Sequence, residues 1–177
     1  MQNLVIRNEI LPDRKRNIVK KSILAATSIA VTAAATTGSI ASAKRVPYWY
    51  ARLRKPRYQP PNAVFPVAWT ALYADIATTS AVAIDRLKAE GKDDEARRYA
   101  AALGVNLVLN AGWSWLFFCY HKLGASALGA AVLAASSADL VRRTAQADPR
   151  AGLAMSPYAL WTSFATVLAT HVWRLNR

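Results

Sequence analysis

Aromatic residues at helical spacing are the first feature of this sequence that could bind or transform a ligand. Phe65, Trp69 and Tyr73 follow one another at intervals of four, so they share one face of a helix. Trp161 and Ala165 repeat that spacing near the C-terminus. Aromatic faces bind flat apolar molecules, and an indole N–H can donate a hydrogen bond to a carbonyl or carboxylate. The alternative is that this stripe only packs helices together.

Two amides within an apolar run are the second such feature. Asn106 and Asn110 are four residues apart, and Trp113 and Phe117 continue the face of Asn110 at i+3 and i+7. A carboxamide at the depth of a bilayer needs a hydrogen-bond partner, which lipid tails do not supply. A neighbouring helix and a bound ligand are both open as the partner of these amides.

A basic, aromatic and proline-rich segment precedes the aromatic stripe, and we call residues 44–61 the strap. Pro60 and Pro61 hold its end extended, because proline lacks an N–H and blocks the α conformation of the preceding residue. A stiff segment can lie across the mouth of a helix bundle with little further loss of entropy. The strap offers ring faces and cations from Trp49, Tyr50, Arg52, Arg54, Lys55, Arg57 and Tyr58. This composition predicts a lid over a large, flat, apolar and acidic ligand, or an anchor at the membrane surface.

The other titratable residues give weaker indications. His121 and His171 each lie near the end of a predicted helix, and no further ligand stands at metal-binding spacing from either. We therefore expect surface or capping roles for both and predict no metal site. Asp75 lies inside an apolar run, where a carboxylate is costly, so we expect it to be protonated, to face a wet cavity or to pair across helices.

The elements that must position these residues are membrane spans. Hydrophobic residues make up 54% of the 177 residues, yet the mean hydropathy is only +0.11 because the charges are gathered into short stretches. We predict an all-α fold, an integral membrane bundle of five transmembrane helices. The predicted spans are residues 22–43, 64–84, 99–120, 125–141 and 158–173. The net charge is +13, and the Lys and Arg residues that produce it flank these spans, which favours contact with lipid headgroups over nucleic acid.

The N-terminal region divides into a basic tail, residues 1–21, and the start of a membrane domain, residues 22–177. An alternative is a signal peptide cleaved after the Ala-Ser-Ala of residues 41–43, but the uncharged run is longer than such peptides need. Lys and Arg are more numerous in the tail and in the connections 85–98 and 142–157 than on the opposite side. We therefore expect the N-terminus in the cytoplasm and the strap outside.

Small residues recur every four positions in two of the predicted helices. They are Ala100 and Gly104 in the third helix, and Ser126, Ala127, Ala130, Ala131, Ala134 and Ala135 in the fourth. Faces of this kind let helices approach closely. They predict tight packing within the bundle or the interface of a homodimer.

Four ordered motifs resemble the translocator protein family, also called tryptophan-rich sensory proteins (TspO/MBR). They are "WYARLRKPRYQPP" (49–61), "PVAWTALY" (66–73), "LVLNAGWSWLFF" (107–118) and "PYALWTSFATVL" (157–168), and the closing "VWRLN" is similar too. The resemblance covers about residues 22–177. It implies a five-helix membrane bundle, often dimeric, with a pocket under the loop between the first two helices. Members bind porphyrins and related tetrapyrroles, animal members bind cholesterol and benzodiazepine-type drugs, and some bacterial members are reported to degrade protoporphyrin in light.

The resemblance also implies which residues of this chain would do the binding. The predicted ligand-binding residues are Phe65, Trp69, Tyr73, Asn106, Asn110, Trp113, Phe117, Trp161 and Ala165. Trp69 and Trp161 would be the catalytic electron donors only if photo-oxidation occurs. No cofactor is required; porphyrin, haem or a sterol-like molecule is the expected ligand, and the expected partners are the lipid bilayer and a second copy of the chain. Ala169 replaces a usual asparagine and Ile76-Ala77 a frequent Met-Gly, which leaves ligand identity open.

These features support three functional hypotheses. The first is a membrane receptor or sensor that binds tetrapyrroles or other flat apolar ligands. The second is a light-dependent porphyrin-oxidising enzyme, and the third is a transporter of porphyrins or lipids. We expect the protein in a bacterial cytoplasmic membrane.

Overall fold

A computed structural model describes residues 19–43 and 49–177, so most of the basic tail and the first five residues of the strap lie outside the described residues. The described chain is helical, without strands. Its helices are α1 (Lys21–Ala43), α2 (Val64–Ala89), α3 (Asp93–Ser114), α4 (Leu123–Ala147) and α5 (Pro149–Leu175). The first four are long and apolar enough to cross a membrane. The prediction of an all-α membrane bundle of five helices is confirmed.

The helices extend well beyond the predicted spans into charged sequence. α2 continues to Ala89 and α3 begins at Asp93, so the predicted connection 85–98 is mostly helical. Its turn is made by Gly91, whose φ of 72° is a left-handed conformation that glycine adopts without strain. The prediction of a polar loop at 85–98 was wrong. An apolar run marks only the part of a helix that suits the lipid interior, and the helix itself can continue beyond that part into charged sequence.

The connection predicted at 142–157 is also helical apart from one residue. Asp148 separates α4 from α5, and its carboxylate accepts hydrogen bonds from the backbone N–H groups of Arg150 and Ala151, both at 3.0 Å. Pro149 at the first helical position loses no hydrogen bond there. An acidic N-cap followed by proline therefore starts α5 nine residues before the predicted span.

The α4–α5 hairpin is held by a close approach of the two helices. A Cβ on Gly152 would overlap both the Cβ and the backbone of Ala145. Glycine at 152 therefore lets α5 turn back directly against α4.

The bundle is filled at the end near Gly91 and Asp148. Ile76, Leu140 and Met155 are fully buried there. The Tyr99 hydroxyl donates to Ser80 Oγ at 3.1 Å and pairs with Thr144 Oγ1 at 2.7 Å. This end is closely packed, whereas a large internal space lies at the strap end.

The strap end of α3 continues as a π-helical turn, Trp115–Cys119, in which the N–H of Tyr120 donates to the carbonyl of Trp115 at 3.0 Å. Such wide turns often occur at functional sites. Here the turn contributes Phe117 and Phe118 to the wall of the internal space.

Candidate ligand-binding cavity

A cavity of about 580 Å³ occupies the strap end of the bundle. α1, α2, α3, the π-helical turn and α5 all contribute to its walls. The aromatic part of the lining consists of Tyr50, Phe65, Trp69, Tyr73, Trp113, Phe117, Phe118, Trp161 and Phe164. α1 contributes the small residues Ala35, Gly38, Ser39 and Ser42, which leave the space open on that side.

Eight of the nine residues predicted to bind a ligand line this single cavity. They are Phe65, Trp69, Tyr73, Asn110, Trp113, Phe117, Trp161 and Ala165. The ninth, Asn106, lies outside the lining and is 0% exposed. Its amide nitrogen donates to Ser136 Oγ at 3.1 Å and to Ser137 Oγ at 3.2 Å, so the structure uses Asn106 to join helices.

The two tryptophans predicted to contact a ligand both line the cavity. Trp69 stacks on Tyr73 with ring centroids 5.3 Å apart, and Trp161 meets Phe65 edge to face at 5.9 Å. Neither indole N–H bonds to a residue in the described part of the chain. Trp113 differs, because its indole N–H donates to the carbonyl of Ser126 at 2.9 Å. Trp69 and Trp161 are therefore the indoles whose donors are free for a bound molecule.

The polar floor of the cavity is formed by Tyr73 and Asn110. The Tyr73 hydroxyl donates to Asn110 Oδ1 at 2.8 Å, and Asn110 Nδ2 donates to the Tyr158 hydroxyl at 3.3 Å. Tyr158 is fully buried and donates in turn to Asn106 Oδ1 at 2.7 Å. Sequence analysis missed Tyr158, which falls at the edge of an apolar run and has no partner within its own helix.

The described part of the strap closes over the mouth of this cavity. Tyr50 lines the cavity and meets Phe117 and Phe118 edge to face, each at 6.1 Å. The ammonium group of Lys55 lies 4.4 Å from the centre of the Tyr50 ring. Burial raises the pKa of the Tyr50 phenol above its ordinary value. The mouth is thus covered by a ring with a cation above it.

Two sets of hydrogen bonds fasten the strap to the end of α5. Asn176 accepts from the Arg54 N–H at 2.9 Å and donates to the Arg54 carbonyl at 2.8 Å. The Tyr58 hydroxyl lies 2.6 Å from His171 Nδ1. Asn176 was not singled out from the sequence, because its partner is 122 residues away.

The remaining titratable candidates lie outside the cavity lining. His171 pairs with Tyr58, while His121 stacks on Trp49 with ring centroids 4.0 Å apart. Asp75 is partly exposed, and its Oδ2 has no hydrogen-bond partner within the described residues.

The architecture defines a class: a helical membrane protein with a cavity that is lined by indole rings and covered by a strap. Residues 26–174 match the TspO/MBR family, and the chain belongs to that family. The protein CrtK of Rhodobacter capsulatus is 34% identical over 84% of this chain and 89% of its own length. The tryptophan-rich sensory protein of Cereibacter sphaeroides is 33% identical over 81% and 85%. The human translocator protein is 29% identical over 72% and 75%.

Proposed function

We propose that this protein is a membrane receptor or sensor that binds a tetrapyrrole such as porphyrin or haem, or another flat apolar ligand such as a sterol, in the cavity beneath the strap. One observation carries the proposal: Trp69 and Trp161 line one aromatic cavity, and neither indole N–H has a hydrogen-bond partner in the described part of the chain. The volume of about 580 Å³ falls in the range of about 300–1,000 Å³ typical of small-molecule sites.

Charge at the mouth supports a ligand that carries acidic groups at one edge. The strap exposes Arg52, Arg54 and Arg57, and Lys55 lies against the cavity residue Tyr50. An apolar macrocycle would stack among the rings, while its carboxylates would reach these cations. The names of two relatives, "sensory protein" and "translocator protein", fit a protein that responds to such a ligand.

The proposal includes the setting of the protein. We propose a bacterial cytoplasmic membrane with the N-terminus inside, because bacterial relatives match more than four fifths of the chain and Lys and Arg are more numerous on that side. A homodimer is part of the same proposal.

Titration of the purified protein with protoporphyrin, followed by tryptophan fluorescence, tests ligand binding. In a Trp69→Ala, Trp161→Ala double variant, two stacking surfaces and two donors are lost, so we expect the dissociation constant to rise at least about tenfold. Trp115→Phe is the matched control, because Trp115 is 36% exposed and lies outside the cavity lining. Equal affinity in the double variant and the control would contradict the proposal.

Illumination of the same complexes separates binding from chemistry. A receptor bleaches porphyrin no faster than the free pigment does. Formation of a defined product, lost in Trp69→Phe, would instead assign the oxidising enzyme. Gradient-dependent movement of porphyrin into sealed vesicles would assign transport.

A further inference from the structure

A chain of buried hydrogen bonds connects the floor of the cavity with α4. It begins at Tyr73 and passes through Asn110 of α3, Tyr158 of α5 and Asn106 of α3. It ends at Ser137 of α4, whose Oγ lies 3.2 Å from Asn106 Nδ2. Asn110 is 2% exposed, and the three residues beyond it are 0% exposed. No solvent therefore competes for these groups.

Ser137, at the end of this series of hydrogen bonds, determines which group donates and which accepts in each of them. The single hydroxyl proton of Ser137 is donated to the carbonyl of Leu133 at 2.8 Å. Toward Asn106, Ser137 can then only accept, so the amide nitrogen of Asn106 must face it. The amide oxygen of Asn106 consequently faces Tyr158, which must donate to it.

The same logic carries the direction on to the cavity. With its proton given to Asn106, the Tyr158 oxygen accepts from Asn110 Nδ2 at 3.3 Å. The Asn110 oxygen therefore faces Tyr73, and the Tyr73 hydroxyl donates its only proton to it at 2.8 Å. What remains of the Tyr73 hydroxyl for a ligand is its lone pairs.

We propose that Ser137, which does not touch the cavity, is a positioning residue that makes the Tyr73 hydroxyl on the cavity floor a hydrogen-bond acceptor and so sets ligand specificity. The inference rests on the proposed function and narrows it. The deep end of the ligand carries an O–H or N–H donor, as a sterol hydroxyl does. A carboxylate beside Tyr73 would meet only the lone pairs of that hydroxyl, whereas the cations of the strap would pair with it, so an acidic tetrapyrrole binds with its carboxylates toward the strap.

Two sterols that differ only in the functional group at C3 test the predicted ligand specificity. A 3-hydroxy sterol donates and accepts, whereas the corresponding 3-keto sterol only accepts. We expect the wild-type protein to bind the hydroxy sterol about tenfold more tightly, because the ketone leaves the floor unpaired. Equal affinities, or a preference for the ketone, in the wild-type protein would overturn the inference.

Two neighbouring serines give a matched pair of variants. Ser137→Ala removes the hydroxyl that obliges Asn106 to donate on this side. Asn106 then still bonds to Ser136, which donates to no described residue and can therefore either donate to Asn106 or accept from it. The chain can then reverse, Tyr73 can offer its proton to the cavity, and we expect the sterol preference to fall below about threefold. Ser136→Ala leaves Ser137 in place and should keep the full preference. An unchanged preference in Ser137→Ala would overturn the inference.

A second variant that interrupts the hydrogen bonds, and a measurement without ligand, complete the test. Tyr158→Phe interrupts the chain at its middle, and we expect the same loss of preference. Ultraviolet resonance Raman spectra, with Tyr73→Phe subtracted, report whether the Tyr73 phenol donates without any ligand present. If the wild-type protein binds neither sterol nor protoporphyrin, the proposed function fails. The inferred direction still stands if the Raman spectrum shows a donating Tyr73 that changes in Ser137→Ala, and it fails if the spectra are identical.

Discussion

Asn106 and Asn110 show how two identical side chains four residues apart serve different purposes. Four residues turn a helix by one revolution and about 40° more. That offset directs Asn110 to the cavity floor and leaves Asn106 beside Ser136 and Ser137 of α4. Both amides obey the same requirement for a partner in the membrane, and only the neighbouring helices decide which partner each one finds.

The Tyr58–His171 contact gives a prediction for a single hydrogen bond. Tyr58→Phe keeps the edge-to-face contact with Phe164, whose ring centroid is 6.3 Å away, and removes the 2.6 Å bond to His171. We expect a loss of about 0.5–1 kcal/mol in unfolding free energy, at the low end for a hydrogen bond because the pair is exposed. Thermal unfolding of Tyr58→Phe, His171→Phe and the double variant measures the coupling. Strictly additive losses would show that the bond contributes nothing.

Spacing predicted the cavity wall at residue level because the wall is periodic. Phe65, Trp69 and Tyr73 are spaced four residues apart and therefore lie on one face of α2, and all three line the cavity. Tyr158 and Ser137 escaped prediction because their roles depend on partners in other helices. Nothing local distinguishes a serine that orients a buried amide from one that simply packs.

At the scale of elements, the sequence predicted the apolar spans better than the helices that contain them. The span predicted at 158–173 lies within α5, which begins at Pro149. Hydropathy measures contact with lipid, whereas helix ends are set by caps and turns. The signs of the true start were present in Asp148 and Pro149, an N-cap followed by proline.

Gly152 provides a prediction for the α4–α5 hairpin. In Gly152→Ala the new methyl group would overlap the backbone of Ala145, so we expect a loss of about 1–3 kcal/mol in unfolding free energy. Gly129→Ala is the control in the same hairpin, since its Cβ would make only ordinary contacts, the nearest at 3.5 Å to Leu116. Thermal unfolding monitored by circular dichroism compares the two. Equal stability of both variants would contradict a hairpin packed this closely.

Asn176 provides a prediction for the strap. Asn176→Ala removes both hydrogen bonds to the Arg54 backbone, so we expect the Arg54 amide to exchange its hydrogen about tenfold faster or more. Asn176→Asp keeps an acceptor for the Arg54 N–H and should lie between the wild type and Asn176→Ala. Exchange measured by mass spectrometry on the ligand-free protein follows the strap directly. Identical protection in all three proteins would mean that other contacts hold the strap down.

At the scale of the whole molecule, the bundle is filled at one end and open at the other. Tyr99, Thr144 and Met155 are buried at the end away from the strap, and the cavity lies at the strap end. Under the proposed function, a ligand that enters at the mouth has to pass the strap before it reaches Trp69 and Trp161. The packed core and the cavity thus occupy different ends of the bundle.

The outer face of α3 gives the prediction for assembly. A Cβ on Gly104 or Gly112 would meet no atom within 4 Å, and Val108 between them is 72% exposed. Small residues on an open helix face allow close contact with a second helix in a membrane. Homodimerisation through this face predicts that Gly104→Leu weakens the dimer about tenfold or more, since a larger side chain separates the helices. Native mass spectrometry across a detergent dilution measures the dimer. Ala131→Leu, at an exposed small residue of α4, is the matched control, and loss of the dimer there instead would move the interface to α4.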